Sequence, residues 1–316
     1  MNNRPLKIIS GSSHPKFAKD VADNLGVELV NATISHFDDD ETQIEIHTSI
    51  RGADTFIIQS GSRPANHNLM ELFFILDALK RSHCWRRTAV MPLYPYARAD
   101  RKVKPHVPIS AKTVADLLKA SGMDRLVTMD LHAGQISGFF DCPVDNLYAN
   151  TIFIKHIKEK NNLENTCIVS PDIGGSLRAD TLAKQLGCHV AIIYKRRGGP
   201  GQIESTRLIG DVSGMKCILV DDMIASGGTM VKAAELLKEN GAIEVSAYAT
   251  HAILTGTSVS KIDASEFSKV YVTDSVPLNK YAAISNKIEV LSVAPLFAEA
   301  IKRVHKEVSL ADLFVA

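Results

Sequence analysis

Short apolar runs alternate with amphipathic stretches along most of this 316-residue chain. Leu6–Ser10, Phe56–Gln59, Ala89–Leu93, Leu126–Asp130, Cys167–Ser170, Val190–Tyr194, Cys217–Val220, Val245–Ala249, Val270–Thr273 and Ile288–Val293 have the length and composition of strands. Helical spacing of apolar positions marks Lys16–Leu25, Asn68–Lys80, Lys112–Ser121, Ser176–Leu186, Met230–Glu239 and Pro295–Val304. Strands that are apolar on both faces, separated by helices, build parallel sheets covered on each side. The expected class is α/β.

An internal repeat suggests how the chain divides. Laid without a gap over Val231–Ala252, Lys112–Ala133 gives seven identities in twenty-two positions, among them Gly122 with Gly241 and His132 with His251. Duplication of a helix-strand unit follows, and two similar domains, 1–148 and 149–316, are the simplest organisation, with the last helix packing back on the first domain.

Charged residues make up 22% and the formal net charge is +1, which argues against a nucleic-acid groove or a membrane-surface protein. The N-terminal stretch lacks the apolar core of a signal peptide, and no apolar run approaches the roughly 20 residues of a membrane helix. A cytoplasmic protein is expected. The five scattered cysteines have no paired spacing and read as reduced core residues.

The most informative stretch runs from Cys217 to Thr229. A strand over Cys217–Val220 leads through a polar loop into a helix, the place where parallel sheets bind ligands. Ser226, Gly227, Gly228 and Thr229 offer successive backbone N–H groups at a helix N-terminus, which suits a monophosphate. Asp221 and Asp222 repel a phosphate but accept hydrogen bonds from a vicinal diol or face a metal ion. Phosphate and diol together describe a ribose 5-phosphate. A capped, solvated strand-to-helix turn fits the same residues.

Other constellations add to this picture. His132 and Asp172, each at a strand end, could jointly hold Mg²⁺, and Gly174, Gly175 and Ser176 form a second candidate anion cradle; a structural histidine and a plain capped turn are the alternatives. Tyr94 to Lys102 sets aromatic and basic residues side by side, as a nucleotide site or an exposed basic loop would. Lys195, Arg196 and Arg197 precede the glycine-rich run Gly198–Gly201; cations on a closing flap suit phosphoryl transfer, and a solvated basic turn has the same composition.

Together these stretches resemble the ribose-phosphate diphosphokinases, the phosphoribosyl pyrophosphate synthetases, over essentially the whole chain. Val220–Thr229 matches the family's signature loop, Tyr94–Lys102 its nucleotide segment, Asp130–Ala133 its metal segment, Ser170–Arg178 its pyrophosphate loop and Lys195–Arg197 its catalytic flexible loop. The resemblance implies two phosphoribosyltransferase-type domains, each a mainly parallel sheet flanked by helices. It also implies Mg²⁺-dependent transfer of the diphosphoryl group of ATP to the 1-hydroxyl of ribose 5-phosphate. On that basis Lys195 and Arg197 are catalytic. Phe37, Asp39, Glu41, Arg98, Asp100 and His132 bind ATP; Asp221, Asp222 and Ser226–Thr229 bind ribose 5-phosphate; His132 and Asp172 hold the metal. The adenine turn of such proteins commonly serves a neighbouring subunit, which implies an oligomer, often a hexamer of dimers.

Several positions depart from the family pattern. Ala225-Ser226 replaces Asp-Thr in the signature loop, Ala99 stands in place of Gln, and Asp40 in place of Gly. Ser309 fits the family's phosphate and ADP regulatory pattern, whereas Ala311 replaces a serine, so inhibition by ADP is expected to be weakened or absent. The competing readings are a phosphoribosyltransferase and a non-catalytic regulatory homologue.

Overall fold

The structure is a computed structural model and describes residues 4–160, 163–196 and 205–314. It divides into two compact units. One runs to Tyr148 and adds Ser275–Pro277 and the described chain over 292–314; the other holds Ala149–Asp274 and Leu278–Leu291.

The first unit contains β1 (Leu6–Ser10), α1 (Pro15–Leu25), β2 (Ala32–His36), β3 (Thr42–Ile46), β4 (Asp54–Ile58), α2 (Ala65–Arg81), β5 (Arg86–Met91), α3 (Ser110–Ala120), β6 (Arg125–Met129) and β7 (Val144–Leu147). The second contains α4 (Asn150–Lys160), β8 (Thr166–Ser170), α5 (Ser176–Leu186), β9 (His189–Arg196), β10 (Ser205–Ile209), β11 (Lys216–Ile224), α6 (Gly228–Glu239), β12 (Glu244–Ala252), α7 (Ser258–Asp263), β13 (Val270–Thr273) and β14 (Ile288–Leu291). Helix α8 (Ala294–Lys306) returns to the first unit.

Among the described residues, a parallel sheet runs β1-β4-β5-β6-β7 in the first unit, and β2 and β3 form a separate antiparallel hairpin. The sheet of the second unit runs β10-β9-β8-β11-β12-β13-β14 and is parallel except for the β9–β10 pair at its edge. Each residue of β4 and of β8 is buried, as expected for interior strands covered by helices on both faces. Leu72, Leu76, Ile57 and Leu126 lie at the centre of one core, and Leu219, Ala247, Leu237 and Val270 at the centre of the other. Cys84, Cys167 and Cys217 are buried and Cys142 and Cys188 half-buried, all as free thiols. Burial pushes the Cys217 thiol up to about 12.

The two units repeat one another, but not in the register of the sequence overlay. In the first, a parallel bridge from Ile8 to Leu29 lies on the side of β1 away from β4. In the second, β9 lies on the side of β8 away from β11. Thus β1 corresponds to β8, β4 to β11, β5 to β12, β6 to β13 and β7 to β14. The overlay of Lys112–Ala133 on Val231–Ala252 sets β6 against β12 and is one strand out. Amphipathic helices closed by a glycine of positive φ, Gly122 at 107° and Gly241 at 88°, recur before buried strands and produce such matches out of register.

Other boundaries also differ from expectation. Strand β5 begins three residues earlier than its apolar run because Arg86 and Arg87 enter it paired. Arg86 donates to both oxygens of Asp54 at 2.9 and 2.6 Å, and Arg87 to both oxygens of Asp124 at 2.9 Å. Strand β11 continues through Asp221 and Asp222 to buried Ile224, so these acids lie in the strand and not in the loop. Its pairing with β12 carries on to Ile224 opposite Ala252.

Candidate active site

In each unit the chain leaves its first strand on one side and returns on the other, which opens a crevice between β1 and β4 and between β8 and β11. Ligands of open α/β sheets bind at such switch points, beyond the carboxyl ends of the strands. The loops after β8 and β11 carry Asp172–Gly175 and Ala225–Gly227, two of the stretches singled out by sequence.

Asp221 and Asp222 stand at the end of β11 with Arg178 of α5 before them. One guanidinium nitrogen, Nη1, lies 3.7 Å from Oδ1 of Asp221 and 3.9 Å from Oδ1 of Asp222. Burial, and next the adjacent charge of Asp222, push the Asp221 carboxyl up to about 8, with Arg178 opposing. Two crowded acids with one shared cation at this distance favour a further positive charge or a hydroxyl-rich ligand.

The turn that follows is shaped for an anion. Leu254 and Thr255 donate their N–H groups to the carbonyls of Ile224 and Ala225 at 3.0 and 2.9 Å, which pins the loop to the segment after β12. Gly227 then takes φ +74° and caps α6, whose first N–H groups have no intrahelical acceptor. A side chain there would meet Ser258 at 3.5 Å. The Ser258 hydroxyl is buried and has no partner among the described residues. Sequence reasoning reached Arg178 only as the end of the pyrophosphate-loop match, with no role facing Asp221 and Asp222, and did not reach Ser258. A cation one turn into the helix after Gly174-Gly175 was the available signal for the first; nothing in the sequence marked the second.

Asp172 lies on the loop after β8, exposed, with Oδ1 accepting the Gly175 N–H at 3.0 Å. Its Oδ2 has no partner among the described residues, so one carboxylate oxygen remains for a cation. Lys195 belongs to β9, and Arg197 lies outside the described residues.

The remaining candidates belong to the first unit. His132 is exposed after β6, in a turn held by the Leu131 N–H on the side-chain oxygen of Asn146 at 3.1 Å. Nearby, Gln135 donates to Asp100 at 3.2 Å, and Arg98 is exposed. Tyr94 is not available to a base: its ring is in the core and its hydroxyl donates to the Ala111 carbonyl at 2.8 Å. Phe37, Asp39 and Glu41 occupy the tip of the β2–β3 hairpin. The Phe37 N–H donates to the Glu41 carbonyl at 2.9 Å, and the Phe37 ring is 54% exposed. Asp40 takes φ +66°, a left-handed conformation that glycine adopts without strain, which accounts for glycine as the usual residue of this turn.

Family models match two parts of the chain: the N-terminal domain of ribose phosphate pyrophosphokinase over residues 6–122, and the phosphoribosyl synthetase-associated domain over residues 200–315. The ribose-phosphate pyrophosphokinase of Wolinella succinogenes is 50% identical over 312 residues, covering 99% of this chain and 100% of that protein. The chain belongs to the ribose-phosphate pyrophosphokinase family. It is an enzyme of that class. The Campylobacter jejuni member is 48% identical, over 99% of this chain and 100% of its own. A crystal structure of phosphoribosylpyrophosphate synthetase from Mycobacterium smegmatis superposes with a TM-score of 0.92 at 40% identity, covering 96% of this chain and 100% of that one. Among the described residues no helix is long and apolar enough to cross a membrane.

Proposed function

We propose that the enzyme transfers the β,γ-diphosphoryl group of ATP to the 1-hydroxyl of ribose 5-phosphate, releasing AMP and supplying phosphoribosyl pyrophosphate for nucleotide, histidine, tryptophan and NAD biosynthesis in the cytoplasm. The observation that carries this reading is the switch-point crevice of the second unit. There the Gly227 turn offers N–H groups to a phosphate beside the crowded pair Asp221 and Asp222.

Ser226–Thr229 would bind the 5-phosphate through backbone N–H groups, with Asp221 and Asp222 accepting from the ribose hydroxyls. Ala225 is compatible with this role, because its own contribution to the loop is a carbonyl that accepts from Thr255. Phe37, Asp39, Glu41, Arg98 and Asp100 would hold ATP. The 1-hydroxyl oxygen then bonds to the β-phosphorus, the bond from that phosphorus to the α–β bridging oxygen breaks, and the 1-hydroxyl proton is lost. Lys195 and Arg197 would offset the charge that develops in line across the β-phosphorus.

Mg²⁺ fits the donor set: Asp172 keeps one carboxylate oxygen without a partner, and substrate phosphates and water complete an oxygen-rich shell. His132 in the first unit and Asp172 in the second would each serve as a metal ligand, and Mg²⁺ would supply neutralisation of phosphate charge. The exposed Phe37 ring at the hairpin tip suits donation to a neighbouring subunit's nucleotide, and a homohexamer of dimers is the assembly we propose.

The test is AMP formation from ATP, Mg²⁺ and ribose 5-phosphate by the full chain. AMP formed one for one with phosphoribosyl pyrophosphate, and lost in Lys195→Ala, is the expected outcome. No AMP from folded protein would overturn the reading.

A further inference from the structure

The corresponding crevice of the first unit, between β1 and β4, is not built for a phosphate. Gln59 fills it: a side chain at Gly11 would meet its Oε1 at 2.1 Å. Behind Gln59 lies Glu71 of α2, fully buried, its carboxylate held by four contacts. Oε1 accepts the Ser12 hydroxyl at 2.6 Å and faces His67 Nε2 at 3.1 Å; Oε2 accepts the Ser12 N–H at 3.1 Å and Gln59 Nε2 at 2.8 Å. Gln59 is itself fixed by the Ser13 N–H and the Asn68 carbonyl, each at 3.0 Å.

Two imidazoles converge on this acid from different elements. His67 lies one helical turn before Glu71, which puts both on one face of α2. His36, the last residue of β2, brings its Nε2 to 3.9 Å from Glu71 Oε1, and the two rings meet edge to face with centroids 4.4 Å apart. One donor atom from each of the three side chains falls within a 4.8 Å span. Tetrahedral bonds of about 2.0–2.2 Å separate neighbouring ligand atoms by about 3.4 Å, which the distances from Glu71 to the two imidazoles bracket.

We propose that His36, His67 and Glu71 form a binding site for a borderline transition-metal ion of the Zn²⁺ type, distinct from the Mg²⁺ positions. Two nitrogens and one carboxylate oxygen suit Zn²⁺ and not Mg²⁺, which takes oxygen ligands. Ser12 and Gln59 orient the carboxylate, as outer partners of a metal ligand do. The half-exposed histidines leave the fourth position to water. The bound ion would tie the foot of the β2–β3 hairpin to α2 at the residue preceding Phe37. Any resulting change in ATP affinity rests on the reading of Phe37 as an adenine contact; the metal site does not.

The full chain, stripped with chelator and kept in excess Mg²⁺ to fill its catalytic positions, is titrated with Zn²⁺ by calorimetry. One Zn²⁺ per chain is expected, retained in His132→Ala and weakened about 100-fold or more in His36→Asn/His67→Asn. Both substituted histidines are partly exposed, so that variant should fold. Co²⁺ should give the visible spectrum of a four-coordinate site, and Zn²⁺ should slow amide exchange at residues 36–41. Equal Zn²⁺ binding by the wild type and the double variant, or none by either, would overturn the site and leave the imidazoles as hydrogen-bond partners of Glu71. Because the readouts are binding and exchange, they succeed or fail whatever the AMP assay gives.

Discussion

Asp222 donates its backbone N–H to Oδ1 of Asp221 across 2.9 Å, so the second acid of the pair is held against the first. The Asp221 carboxyl titrates near 3.8 in its ordinary state and at about 8 in the fold, raised by burial and by Asp222. Between those values the folded protein binds the extra proton, so this group's contribution to stability falls as pH rises and reaches its minimum above about 8. Asp221→Asn removes that slope. Urea midpoints at about pH 5 and about pH 9 should show the variant gaining on the wild type at the higher value.

The same proton links to ligand binding. A cation or diol that prefers the ionised pair must displace it, so ribose 5-phosphate with Mg²⁺ should release protons near neutrality. Calorimetry in buffers of different ionisation enthalpy checks this, and Asp221→Asn should abolish the buffer dependence.

Arg178 is the cation shared by the two acids, and it opposes the rise of the Asp221 carboxyl. Arg178→Ala should lower kcat/KM by about 100-fold, through loss of a positioned cation beside the proposed ribose site. Arg178→Lys should recover part of it, since the acids are met singly at 3.7 and 3.9 Å and not by a two-pronged contact. Steady-state kinetics on both variants decides the point.

Gly227→Ala tests the phosphate turn. At φ +74° an L-residue costs about 1–2 kcal/mol. The added methyl would reach Ser258 at 3.5 Å, ordinary contact, so backbone strain and not collision is the cause. A lower Tm together with a raised KM for ribose 5-phosphate, with the KM for ATP little changed, is the expected result.

Asp54 holds the first unit together. It is fully buried and accepts from Arg86 twice and from His305 Nδ1 at 2.9 Å, while Arg86 also reaches the Val304 carbonyl. Asp54→Ala leaves the Arg86 guanidinium without its acid and should cost about 3–5 kcal/mol in urea unfolding.

The α/β class and most elements were legible because buried parallel strands and amphipathic helices carry opposite periodicities. Strands that break that rule were not: β7 is Val-Asp-Asn-Leu, half polar, and its Asp145 is admitted by pairing with Arg125 at 2.5 Å. The turn at Gly227 was legible from its glycines, because a positive φ restricts residue choice. Arg178 and Glu71 were not, since their significance comes from what the fold sets opposite them. Repeat register was misread for a related reason. Gly122 and Gly241 report the end of a helix, not its position in a sheet.

The closing helices of the two halves are exchanged between the units. Helix α4, which follows β7, packs on α5, and α8, which follows β14, packs on α1, with the Phe297 and Phe17 rings 5.5 Å apart. A ribosome therefore makes the first sheet well before the helix that covers Phe17, and the histidine that meets Asp54 comes 251 residues after it. Until that helix has been made, the first unit must wait with part of its core uncovered.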